Sequence, residues 1–229
     1  MKLTAYLYFL VAAIELYAVY FGQESLQYIA KPLLMPSLII FYLSGAARPL
    51  VRRDALMVAA FVFSCVGDVA LMFAHGDEKF FLIGLIGFLV THLLYIVAFM
   101  MVADRSADPV LRHKVWLVVP LATYLGALLA VVFPAVDMPM KVPVAIYSAV
   151  IGTMVIFALN RYKRVNDNSF ALVFGGALLF MLSDSLIAIN KFLCHGTLFM
   201  GGMAIMTLYI LGQYCIAKGM LWNDKVKLT

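Results

Sequence analysis

Only 13% of the 229 residues are charged while 65% are apolar, and the mean hydropathy is +1.00. A soluble domain carries about 25% charged residues, so these values exclude a water-soluble fold and point to a single integral membrane domain over residues 1–229. Long apolar runs also exclude a strand barrel, which needs short alternating segments. The net charge of +5 is scattered over loops, so nucleic acid is not an expected partner.

About 20 helical residues cross the hydrocarbon layer. Cutting the chain at charge clusters and Pro/Gly turns predicts eight spans: Leu3–Phe21, Ile29–Gly45, Ala55–Ala74, Phe80–Val102, Val115–Phe133, Val142–Leu159, Phe170–Ile189 and Thr197–Ala217. The predicted fold class is all-α, a polytopic membrane helix bundle. The first segment reads as a span rather than a cleavable leader, because its apolar part is long, contains Glu15 and is followed by no small-residue cleavage site. Pro32 and Pro36 in the second span are tolerated kink formers and need no chemistry.

Of the 17 Lys and Arg residues, 13 fall on the face that carries the two ends, against Lys31, Lys79, Lys141 and Lys191 on the other. Positive charge collects on the cytoplasmic side. Both termini are therefore predicted cytoplasmic, in a multi-pass protein of a bacterial inner membrane. Trp116 and Trp222 fall at that same interface, where indole rings prefer to sit. Cys65, Cys194 and Cys215 are odd in number, two of them inside apolar runs, and imply no disulfide framework.

Two aspartates interrupt the spans. Asp68 lies in FSCVGDVALMF on the third and Asp184 in FMLSDSLIAINKF on the seventh, 116 positions apart. A charge at membrane depth costs about 2.5 kcal/mol or more, so such residues are functional candidates by default. Their matched placement suggests two tandem four-helix halves in parallel orientation, each offering an acid from its third helix. A lone intramembrane Asp also reads as a structural partner for Lys or a neighbouring helix; two at matched depth favour a site. Positions seven apart share a helix face about 10 Å apart, which sets Asp68 below His75 and Asp184 below Lys191. Lys31 in KPLLMP joins that cationic rim from the second span.

Other polar residues are less tightly framed. Glu15 is lone, and structural pairing explains it as readily as function. His92 and Tyr95 share a face of the fourth span, Tyr209 and Gln213 one of the eighth; each fits interhelical hydrogen bonding as well as a site. Counted by helix rise from the outer end, His92 lies roughly 18 Å deep, below the Asp pair, where it suits the lining of an acyl tunnel. The fourteen Met residues suit adaptable packing or an acyl pocket. His75, Cys194 and His195 fall near the outer face, but no HxxxH or CxxC spacing occurs and His113 lies in a cytoplasmic loop, so neither a metal nor a cofactor is expected. No GxSxG elbow, phosphate-binding loop or dinucleotide fingerprint appears.

Taken in order, KPLLMP from Lys31, CVGDVALMF around Asp68, GLIGFLVTHLLYIVAF with His92 and Tyr95, PVAIYSAVIGTMV around Tyr147, GALLFMLSDSLIAINKF around Asp184 and LYILGQYCIAKG with Gln213 resemble the lysoplasmalogenase family, the YhhN-like membrane proteins. The likeness covers nearly the whole chain. It implies hydrolysis of the vinyl-ether bond of lysoplasmalogens, releasing a fatty aldehyde and a glycerophospho-ethanolamine or -choline. The expected partners are then a lysophospholipid substrate and membrane lipids. Protonation of an alkene carbon followed by water attack suits one protonated and one ionised carboxyl, so Asp68 and Asp184 are the expected catalytic pair. Lys31 and Lys191 would hold phosphate, with His92, Tyr95, Tyr147, Tyr209 and Gln213 around the substrate. A proton-coupled transporter using the same carboxylates is the rival reading; a lipid-sensing or structural membrane protein is a third.

Overall fold

The computed structural model describes residues 2–74, 77–104 and 106–226. Among these residues the secondary structure is helical throughout: α1 (Lys2–Tyr20), α2 (Glu24–Gly45), α3 (Arg52–Met72), α4 (Glu78–Val102), the short α5 (Val110–His113), α6 (Val119–Val132), α7 (Met138–Leu159), α8 (Asp167–Ala188) and α9 (Gly201–Val226). Tight 3-10 turns at Val115–Val118 and Phe133–Ala135 flank α6, and a π-helical turn, Ile189–Leu193, prolongs α8. Eight of these segments are long and apolar enough to cross a membrane. The eight match the predicted spans, and their even number brings both ends of the chain to one face.

Local chemistry sets where the helices begin. The Asp77 carboxylate accepts the Lys79 backbone N–H at 2.8 Å and the Asn166 side chain accepts that of Asn168 at 3.0 Å, so α4 and α8 each have a satisfied first turn. Asp54, in the first turn of α3, reaches back to the Val51 N–H at 2.9 Å. Proline does not break α2. Pro36 has no N–H to offer the carbonyl of Pro32, and the Cys65 thiol on α3 donates to that oxygen at 3.5 Å. Gly175 and Gly176 likewise lie inside the continuous α8, and Gly201 marks the start of α9. Helices α2 and α8 therefore run unbroken through these residues.

Packing follows the small residues. A Cβ on Gly87 of α4 would sit 3.0 Å from the Gly67 nitrogen and the Phe63 oxygen of α3, and one on Gly176 of α8 would sit 2.7 Å from the Gly212 oxygen of α9. Helices α3 with α4 and α8 with α9 thus form two closely packed pairs at matching places in the two halves. The halves differ elsewhere: α1 lies tightly on α2, whereas the fifth span buries almost nothing against its neighbours. The apolar core runs through Leu34, Met57, Phe61, Phe99, Met154 and Phe180, all buried.

Candidate active site

At one end of the bundle α1, α2, α3, α4, α8 and α9 enclose a cavity of about 540 Å³. Asp68 and Asp184 both line it, together with Glu15, Lys31, Lys191 and Tyr209. Gln27, Asn190 and His195 contribute further polar groups to its wall. A second, largely apolar groove between α3, α4, α6, α7 and α8 is lined by Leu85, Leu125, Ile151 and Met181. Asp184 borders both spaces, with Tyr147 and Ser148 on the apolar side.

Each Asp is held by donors from helices of opposite direction. Tyr209 on α9 donates to Asp68 Oδ2 at 2.6 Å. Tyr147 on α7 donates to Asp184 Oδ2 in a very short hydrogen bond. His92 Nε2 lies 3.2 Å from that same oxygen and 3.0 Å from the Tyr147 hydroxyl. The Tyr147 proton is committed to Asp184, so His92 serves best with its proton on Nε2, shared between the two oxygens. His92 Nδ1 is then a buried lone pair with no hydrogen-bond partner among the described residues. The edge of Phe180, its ring centroid 4.8 Å away, helps fix the imidazole.

These contacts cross between the halves. Asp68 on the third span meets the eighth, and Asp184 on the seventh meets the fourth. A parallel relation between two four-helix halves produces this kind of exchange, and the crossed pairing supports it.

The contacts also correct the depth expected for His92, which touches Asp184 and does not line either cavity. Helix ends do not lie in one plane, and side chains tilt toward the N-terminus of their own helix. His92 on α4 therefore leans outward while Asp184 on the oppositely directed α8 leans inward, and the two meet. Tyr95 and Gln213, expected around substrate, do not line the cavity either. The Tyr95 hydroxyl donates to Gln213 Oε1, Gln213 Nε2 donates to Ser64 Oγ at 2.9 Å, and Ser64 Oγ lies 3.1 Å from Thr91 Oγ1. All four are fully buried. Their polar groups satisfy one another beneath the acids, so they support the site rather than touch a ligand. His75, expected above Asp68, lies outside the described residues.

Sequence reasoning left Glu15 undecided. It is 0% exposed, and neither carboxylate oxygen has a hydrogen-bond partner among the described residues. A glutamate inside an otherwise apolar first span was the available signal. Lys191 sits with its ammonium 5.3 Å from the Phe81 ring centroid, on the same cavity wall as Asp184. Among the described residues no three His, Cys, Asp or Glu side chains converge as a metal set would.

Eight apolar spans and a cavity walled by carboxyls and lysines define a polytopic membrane protein with a polar site at one end of its bundle. The YhhN family model matches residues 26–220, and the chain belongs to that family. It is similar to human lysoplasmalogenase TMEM86A, 34% identical over 159 residues, covering 68% of this chain and 61% of the relative. It is also similar to a lysoplasmalogenase homolog of Dictyostelium discoideum, 30% identical over 191 residues (67% of this chain, 59% of the relative). A Mycobacterium bovis lysoplasmalogenase is 29% identical over 156 residues (68% and 57%). The matched part thus spans about three fifths of the length of these curated relatives. No solved structure matches the chain.

Proposed function

We propose that this chain is a lysoplasmalogenase that hydrolyses the vinyl-ether bond of 1-alkenyl-glycerophospho-ethanolamine or -choline to a fatty aldehyde and the glycerophospho-base. The observation that carries the reading is the joint presence of Asp68, Asp184, Lys31 and Lys191 on one cavity of about 540 Å³. The curated relatives named lysoplasmalogenases support it.

The hydrogen bonds divide the labour between the acids. Two donors converge on Asp184 Oδ2 and suit it to act as the carboxylate, since donors favour the charged form. Asp68, with one donor and 3% exposure, carries the proton. Asp68 delivers it to the alkenyl carbon β to the ether oxygen, and the oxocarbenium ion that forms is stabilised by Asp184. Water adds to that cation and gives its proton to Asp184, leaving a hemiacetal. As the hemiacetal collapses, Asp184 returns the proton to the departing glycerol oxygen and Asp68 recovers one from the hemiacetal hydroxyl. One water is consumed and both acids are reset. Lys31 and Lys191 hold the phosphate, and the alkenyl chain lies in the apolar groove beyond Asp184, along Leu85, Leu125 and Ile151.

The lysine and arginine distribution favours a cytoplasmic end-bearing face, with the cavity open to the outer leaflet.

Turnover in D₂O tests the reaction. Purified protein in detergent, given alkenyl and ester lysolipids with in situ reduction of aldehyde, is expected to yield alcohol carrying one deuterium at C2 from the alkenyl lipid alone. Fatty acid released from the ester, or aldehyde without deuterium, overturns the reading.

A further inference from the structure

Glu15 is the ionisable group on the cavity that this chemistry does not use. It stands on α1, lines the cavity beside Val19 and exposes no area to water (0%). Neither Oε1 nor Oε2 accepts a hydrogen bond from any described residue. Lys31 acts on the carboxyl through space without bonding to either oxygen. A buried carboxylate without donors is strongly disfavoured, and a cation carrying N–H donors that enters the cavity supplies what it lacks.

The cavity's other charges indicate what that is. Lys31 and Lys191 offer two cations to an anion. A zwitterion whose anionic end rests on Lys31 presents its cationic end a few bonds away, within reach of α1. We propose that Glu15 is the head-group ammonium subsite, and that it selects the primary ammonium of a phosphoethanolamine head group over the trimethylammonium of choline. This rests on the lysophospholipid reading of the same cavity. The selection follows from hydrogen bonding: a primary ammonium carries three N–H donors, enough for both orphan oxygens, whereas a trimethylammonium carries none. The compact NH₃⁺ also approaches a carboxyl recessed in the cavity wall more closely than three methyl groups do. Charge-assisted hydrogen bonds of this kind change affinity by about tenfold or more.

The test uses saturated 1-alkyl ether lysolipids, which have no vinyl bond to hydrolyse, so binding is read apart from catalysis. Calorimetric titration of the full chain in detergent with alkyl-glycerophosphoethanolamine, alkyl-glycerophosphocholine and alkyl-glycerophosphate is expected to show the first binding about tenfold tighter than the others. Glu15→Gln is expected to erase that preference by weakening the ethanolamine lipid alone, and Glu15→Asp to restore part of it. Equal affinity for all three lipids in the wild type, or a Glu15→Gln variant that weakens all three alike, overturns the assignment. If the preference is present and disappears in Glu15→Gln while no alkenyl lipid is hydrolysed, the subsite stands and only the vinyl-ether reaction falls.

Discussion

The bundle buries acids at both ends, and they are treated differently. At the end of the bundle where α3 begins Asp54 is 1% exposed and saturated: Arg53 Nη2 donates at 2.6 Å, Tyr42 at 2.8 Å and the Val51 N–H at 2.9 Å. It borders none of the cavities described above. At the opposite end Asp68 has one hydroxyl donor, Asp184 has Tyr147 and His92, and Glu15 has none among the described residues, yet all three line the cavity. Burial alone therefore does not mark a functional acid. An acid whose lone pairs are filled by its own helix and an adjacent arginine holds the fold together. One that is under-filled beside a cavity keeps capacity for a ligand or a proton.

Substitutions can break that contrast. The largest expected effect on stability is at Asp54: Asp54→Ala leaves Arg53 without its carboxylate and is expected to lower stability by about 3 kcal/mol, seen as a drop in Tm in detergent with kcat retained. A large fall in kcat at unchanged Tm would erase the distinction between the two ends. Tyr209→Phe removes the donor that holds Asp68 and is expected to reduce kcat about tenfold with Tm nearly unchanged, which steady-state kinetics and a thermal melt decide together. Lys191→Ala is the mildest. It is expected to raise KM several-fold, an ion-pair effect of about 1 kcal/mol, and to leave kcat in place; a fall in kcat alone would move Lys191 from phosphate binding into the chemistry.

Much of the architecture was legible because hydrocarbon is an unforgiving solvent. Eight apolar runs, the bias of Lys and Arg, and Asp68, Asp184, Lys31 and Lys191 all stand out against that background, and the four ionisable side chains do line one cavity. What stayed illegible depends on direction and depth. The contact of His92 with Asp184 arises from two antiparallel helices whose side chains lean toward each other, which counting rise along one helix cannot show. Tyr95 and Gln213 carry site-like chemistry, but Tyr95 donates to Gln213 and Gln213 in turn to Ser64. Glu15 lacked a partner in sequence, and its meaning comes from the cavity it faces and the donors it lacks.

The account rests on Asp68 and Asp184 acting as an acid and a base on one substrate. The most direct measurement is the rate of aldehyde release from an alkenyl lysolipid by the wild type, Asp68→Asn and Asp184→Asn, each verified as folded by its thermal melt. A loss of about 10³-fold in kcat is predicted for either variant. Wild-type turnover by either one would contradict the assignment.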